Sequence, residues 1–163
     1  MAFWIFLFFI IGLRIAELFL ARRNEQWLLS KGAVEYGQAH YPFIVGLHVL
    51  FILSLIIEYL LRGTGELNPY LLGLFFLLLA FKGWVISSLG RFWNTKIYRV
   101  PRFPLVKKES YRFIKHPNYV IVIAEIAIIP LIFHLYYTAV IFTVLNAVML
   151  YVRIREENRA LEL

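Results

Sequence analysis

Three runs of about twenty mostly apolar residues, 2–21, 42–61 and 70–89, and a fourth of 34, 119–152, decide which solvent this chain folds in. Roughly 20 apolar residues cross the hydrocarbon core of a bilayer as a helix, and in that core only helices or closed barrels satisfy their own backbone groups. As one helix the last run would measure about 51 Å against a core of about 30 Å, so it is expected to fold back as a hairpin, with Pro130 near the end of its first arm. The fold expected is an all-α integral membrane protein of about five transmembrane helices, at 2–21, 42–61, 70–89, 118–133 and 137–153. They form one membrane domain, 1–163, with a connector at 90–117. The composition is that of a membrane chain, 61% apolar and only 17% charged, with a mean hydropathy of +0.73.

The first run has no basic residue before it and no small-residue cleavage site after it, because Leu20-Ala21 leads straight into Arg22-Arg23; it reads as a retained span. Asn68-Pro69 is a helix-start signal for the third. In the connector, Pro101 and Pro104 argue against one continuous helix, and Lys96–Val100 alternates weakly like a strand. With five spans, fourteen of the 17 basic residues fall on one side and Arg62 alone on the other. The positive-inside rule then puts the connector and the C-terminus in the cytosol and the N-terminus outside. The net charge of +7 is explained in this way, by lipid phosphates as partners and not nucleic acid. No cysteine is present, so there is no thiolate nucleophile and no Cys-based metal site, and no metal is expected.

Ionisable and amide side chains inside spans are costly and point to function by default. Counting 1.5 Å per residue, Arg14, His48, Lys82, Glu125 and Asn146 share one layer roughly 10 Å inside the cytosolic face, with Glu17 slightly shallower. Arg14, His48, Lys82 and Asn146 are the candidate substrate-binding residues. Bland alternatives exist: Arg14 and Glu17, three apart on a helix, can be a neutralising pair, and Lys82 can snorkel to the interface. Glu58 and His134 fall near the outer boundary and receive no role.

Two polar clusters flank the hairpin, Lys107–Tyr119 before it and Arg153–Arg159 after it. A hairpin returns its end to the side where it began, so His116 and Glu157 can be neighbours. Cations, ring donors and carboxylates together suit a zwitterionic ligand; an interfacial charge belt is the alternative. Tyr111-Arg112-Phe113-Ile114-Lys115-His116-Pro117-Asn118-Tyr119, a hydrophobic hairpin and then Arg153-Ile154-x-x-Glu156-Glu157 resemble the isoprenylcysteine carboxyl methyltransferase family of integral membrane methyltransferases. Lys115 stands where the family commonly has Arg, which keeps the charge. Leu89–Asn94 and Arg22–Glu25 extend the likeness toward bacterial members that O-methylate alkylpyrones made by polyketide synthases.

The resemblance implies S-adenosylmethionine as methyl donor at the cytosolic face, with Tyr111, Arg112, His116, Pro117, Tyr119 and Glu156 as cofactor candidates and Arg153 and Glu157 as active-centre candidates. It also implies a lipophilic acceptor that enters from a bacterial cell membrane, and a functional link to a polyketide synthase. Sterol and isoprenoid reductases share a His-Pro-Asn-Tyr element, so a nicotinamide-dependent reductase is the alternative enzyme; a phospholipid N-methyltransferase and a non-catalytic membrane scaffold are the others.

Overall fold

The computed structural model describes residues 1–62, 66–101 and 117–162. It contains α1 (Ala2–Ser30), α2 (Tyr41–Arg62), α3 (Pro69–Leu89), α4 (Pro117–Leu131) and α5 (Tyr136–Glu162), with short strands β1 (Val34–Tyr36) and β2 (Ile97–Arg99) at one end. Helices α1, α2, α3 and α5 are long and apolar enough to cross a membrane, and α4, of 15 residues, is a shorter apolar helix. The protein is an all-α integral membrane protein, its surface covered by exposed apolar side chains such as Phe8, Leu77 and Val140 that need lipid around them.

At the hairpin end, where α4 turns into α5, aromatic rings lock the bundle. Phe3 of α1 stacks on Tyr59 of α2 with centroids 3.7 Å apart and meets Phe133 edge-on at 5.2 Å, while Phe6 meets Phe75 of α3 at 5.1 Å. Asn68 caps α3 through its side-chain oxygen, which accepts from the backbone N–H groups of Tyr70 and Leu71, and its own N–H donates to the carbonyl of Ile132. Helix α5 has no capping side chain of its own. Glu58 of α2 supplies one, accepting from the N–H groups of Tyr137 at 3.1 Å and Thr138 at 2.7 Å, where the helix dipole favours an anion. A residue without an expected role is thus the N-cap of the last helix.

At the other end α1 runs on through Arg22–Glu25, longer than the apolar run alone indicates, and its last turns hold the start of the connector. Asn24 Nδ2 donates to the carbonyls of Trp93 at 2.7 Å and Gly90 at 3.3 Å, and Asn94 Nδ2 donates to that of Ala21 at 2.9 Å. Gly90 ends α3 with φ +55, a conformation that side chains with a Cβ rarely adopt. The weak alternation at Lys96–Val100 becomes β2, antiparallel to β1 with Glu35 opposite Tyr98. Lys96 Nζ donates to Glu25 at 2.7 Å, and the Tyr98 hydroxyl donates to Glu25 and Glu35. Glu25 holds the Lys96 ammonium above the ordinary lysine range, and burial, helped by both carboxylates, pushes the Tyr98 phenol up.

Candidate functional site

The polar layer is a connected cluster. Glu125 on α4 accepts from Lys82 of α3, 3.1 Å from both carboxylate oxygens, and from Arg14 of α1 at 2.8 Å. Glu17 accepts from Arg14 at 3.0 Å and pairs with Lys82 as well. Two cations and two carboxylates therefore tie α1, α3 and α4 together with no net charge. Arg14 and Glu17 do pair, the alternative given for them, but as half of this quartet. Lys82 does not snorkel: its side chain is 3% exposed. Within the layer the two glutamates cancel the charge of Arg14 and Lys82.

Beside the quartet lies a cavity of about 380 Å³ between α1, α2, α4 and α5. Arg14, His48, Lys82 and Asn146 all line it, as do Tyr119 and Arg153. The structure thus gathers on one wall system the four residues expected to contact substrate and one of the two active-centre candidates. Its remaining surface is mostly aliphatic, from Ile10 on α1 to Leu53 on α2 and Val122 on α4. Ile15 and Leu18 of α1 and Val45, Val49 and Leu53 of α2 line the cavity and are exposed. Phe3 and Tyr59 hold α1 and α2 together at the hairpin end, and nearer the connector end exposed residues of both helices line the cavity, which is partly open.

Trp93, Asn118 and Asn146 line the cavity, and among the described residues each holds a buried side-chain atom with no hydrogen-bond partner: Trp93 Nε1, Asn118 Oδ1 and Asn146 Nδ2. Burying such groups unsatisfied costs about 1–3 kcal/mol each, so they are suited to a polar ligand head. Trp93 and Asn118 were not among the sequence candidates. The Leu89–Asn94 segment, already distinctive as a motif, was the available signal for Trp93. Tyr41 and Thr95 close the connector end of the cavity with a 3.2 Å contact between their hydroxyls.

Arg153 of α5 is buried and donates from Nε to the Tyr119 hydroxyl at 3.0 Å, and that hydroxyl donates to Glu157 at 2.5 Å. The spacing is helical: Arg153 and Glu157 lie one turn apart on α5, and Tyr119, two residues into α4, is clamped between them. Pro117 opens α4 and is buried. Glu156 is partly exposed and pairs with Arg159 at 2.8 Å on its own helix, a partner it can exchange for a ligand. Tyr111, Arg112 and His116 lie outside the described residues. Carboxylates at Glu156 and Glu157 fit the amine and hydroxyl donors of S-adenosylmethionine, and Arg153, one turn before Glu157, lines the cavity.

The isoprenylcysteine carboxyl methyltransferase family matches residues 71–163. The uncharacterised protein YpbQ of Bacillus subtilis is 45% identical over 163 residues, covering 98% of this chain and 96% of that protein. An uncharacterised protein of Haemophilus influenzae is 29% identical over 155 residues, 93% of this chain and 90% of its own. No solved structure matches the chain. Family members are S-adenosylmethionine-dependent methyltransferases. With all but the first two residues of α3, the whole of α4 and α5 and both polar clusters inside the matched region, this chain belongs to the isoprenylcysteine carboxyl methyltransferase family and is an integral membrane methyltransferase.

Proposed function

We propose that the protein transfers a methyl group from S-adenosylmethionine to an acidic oxygen of a lipophilic acceptor, and that the acceptor reaches the cavity laterally, between α1 and α2. The observation that carries this reading is the position of Arg153, on the cavity wall and joined through Tyr119 to Glu157 beside Glu156. Glu156, with Pro117, Tyr119 and the Tyr111, Arg112 and His116 segment, would hold the donor. When bound it supplies an electrophilic methyl on a positively charged sulfur.

What the chain itself contributes is positioning and exclusion of water. Arg153 orients the acceptor oxygen, and Trp93 Nε1 and Asn146 Nδ2 offer donors to the head group while Asn118 Oδ1 offers an acceptor. The aliphatic walls take the tail, each buried CH₂ contributing about 0.8 kcal/mol. Arg14 and Lys82 shape the cavity from within a neutral quartet, so the preference for an acidic oxygen rests on Arg153 and the two orphaned donors. Glu17 and Glu125 each face two cations, which disfavours either as a base for an amine acceptor and ranks phospholipid amines below oxygen acids. Alkylpyrone enols come first through the bacterial likeness, with a polyketide synthase as the functional partner, and prenylcysteine carboxylates second. The chain lies in a bacterial cell membrane as one five-span domain, with the connector end and C-terminus in the cytosol.

The test incubates membranes containing the protein with labelled S-adenosylmethionine and long-chain alkylpyrones, prenylcysteines or phospholipid amines, and identifies the product by mass spectrometry. An O-methylated lipophilic product is expected. A product methylated on nitrogen would overturn the acceptor chemistry, and NADPH-dependent reduction without methylation would overturn the proposal as a whole.

A further inference from the structure

We propose that His48 is a catalytic base, taking the proton from the acceptor's hydroxyl inside the cavity; the inference rests on the oxygen-acceptor reading above. His48 Nδ1 lies 2.9 Å from the carbonyl oxygen of Ile44, one turn earlier on α2. A carbonyl only accepts, so Nδ1 carries the hydrogen, and in the neutral ring the lone pair is on Nε2. Among the described residues no hydrogen bond occupies Nε2, and the ring lines the cavity.

The charged and titratable groups around it come from every neighbouring helix: Arg14 and Glu17 from α1, Lys82 from α3, Glu125 and Tyr119 from α4, and Arg153 from α5. Each has a committed partner. Glu17 and Glu125 are both engaged by Arg14 and Lys82, and the Tyr119 hydroxyl bridges Arg153 and Glu157. Among the described residues lining the cavity, His48 alone offers an uncharged basic nitrogen.

Entry of the acceptor from the bilayer, as proposed above, creates the need for such a base. A molecule that arrives through hydrocarbon arrives neutral, because an ion there is costly, and so it brings its hydroxyl proton with it. A neutral enol or phenol is a poor nucleophile. In the proposed step the acceptor's O–H bond breaks and its proton passes to Nε2. The oxygen pair forms a bond to the methyl carbon of the sulfonium donor as the carbon–sulfur bond breaks. The products are a methyl ether, a neutral thioether and an imidazolium. The positive ring then faces Arg14, which favours loss of the proton to water once product departs.

The first experiment needs no methyl donor. The probe is a long-chain 2-alkyl-4-nitrophenol, whose phenolate absorbs in the visible. With purified protein in detergent at a pH one unit below the probe's own ionisation, the bound probe is expected as phenolate. Calorimetry in buffers of different ionisation heat should show no proton released, since the proton stays on the protein. In His48→Gln the bound probe should remain a phenol, its ionisation moved up by at least one pH unit. In the presence of donor, His48→Gln should lose about 100-fold in methylation of the phenol, a modest general-base effect, and recover as pH approaches the acceptor's own ionisation. A long-chain carboxylate acceptor should change less than about threefold.

Phenol bound as phenol by the unsubstituted protein, one proton released to buffer per probe bound, or a His48→Gln protein with unchanged spectrum and pH profile would each overturn the role of His48 and leave methyl transfer to oxygen standing. Failure of the unsubstituted protein to bind or methylate any oxygen acid would overturn both. The calorimetric result is read on the unsubstituted protein and does not depend on the variant folding.

Discussion

Lys82 and Glu125, 43 positions apart, face each other across the α3–α4 interface with the ammonium 3.1 Å from both carboxylate oxygens, and both side chains are nearly sealed from the surface. Arg14 and Glu17 complete the cluster from a third helix. Removing one partner from a buried pair leaves an uncompensated charge and costs about 3–5 kcal/mol. Lys82→Met should therefore unfold at clearly lower denaturant in detergent. Lys82→Met with Glu125→Gln should recover part of the loss, because only one carboxylate then faces Arg14. An additive double variant would show that the two side chains are not coupled.

Glu58 gives a second prediction, free of the site. Glu58→Ala removes the cap from the first turn of α5 and should destabilise by about 1–2 kcal/mol. Methyl-donor affinity should be unchanged, since the cap lies at the opposite end of α5 from Arg153. Thermal unfolding and donor calorimetry on one preparation check both halves.

Roles at the connector end separate by kinetics. Glu156→Ala and His116→Ala should each weaken donor binding by about 1.5–3 kcal/mol, the range for a charge-assisted hydrogen bond. Arg153→Ala should lower turnover more than donor affinity. Tyr119→Phe, which keeps the ring and removes the bridging hydroxyl, should reproduce a milder form of the Arg153 effect. Intact turnover in Arg153→Ala would reassign that residue to lipid headgroups.

Lateral access predicts that bulk on the α1–α2 side of the cavity discriminates by chain length. Val49→Trp, at an exposed residue that lines the cavity, should lower the rate on long-chain acceptors and spare short-chain ones. Equal effects on both would remove this side of the cavity from the substrate's route.

Orientation is tested with a single cysteine, which the chain otherwise lacks. Arg159→Cys should stay unlabelled by an impermeant thiol reagent outside intact cells and react once the membrane is opened.

The helices were legible because about twenty apolar residues have few ways to behave, and Asn68-Pro69 marked the start of α3 by chemistry that acts within four residues. The α1 extension was not, because Arg22–Glu25 reads as a loop until Asn24 finds the connector carbonyls. Depth along each helix was countable from sequence, which is why Arg14, His48, Lys82 and Asn146 could be grouped before their common cavity was seen. Rotation about each helix axis was not countable, and rotation decides that Glu17 and Glu125 spend themselves on Arg14 and Lys82. Glu58 left a trace: Tyr136-Tyr137-Thr138 begins a helix with no capping residue before it, so the cap had to come from elsewhere.

The quartet also governs how the protein responds to an energised membrane. A unit charge moved across a bilayer exchanges about 2.3 kcal/mol with each 100 mV of potential. Two cations and two carboxylates at similar depth present almost nothing for that voltage to act on, so the joint between α1, α3 and α4 keeps its strength whether the membrane is polarised or collapsed.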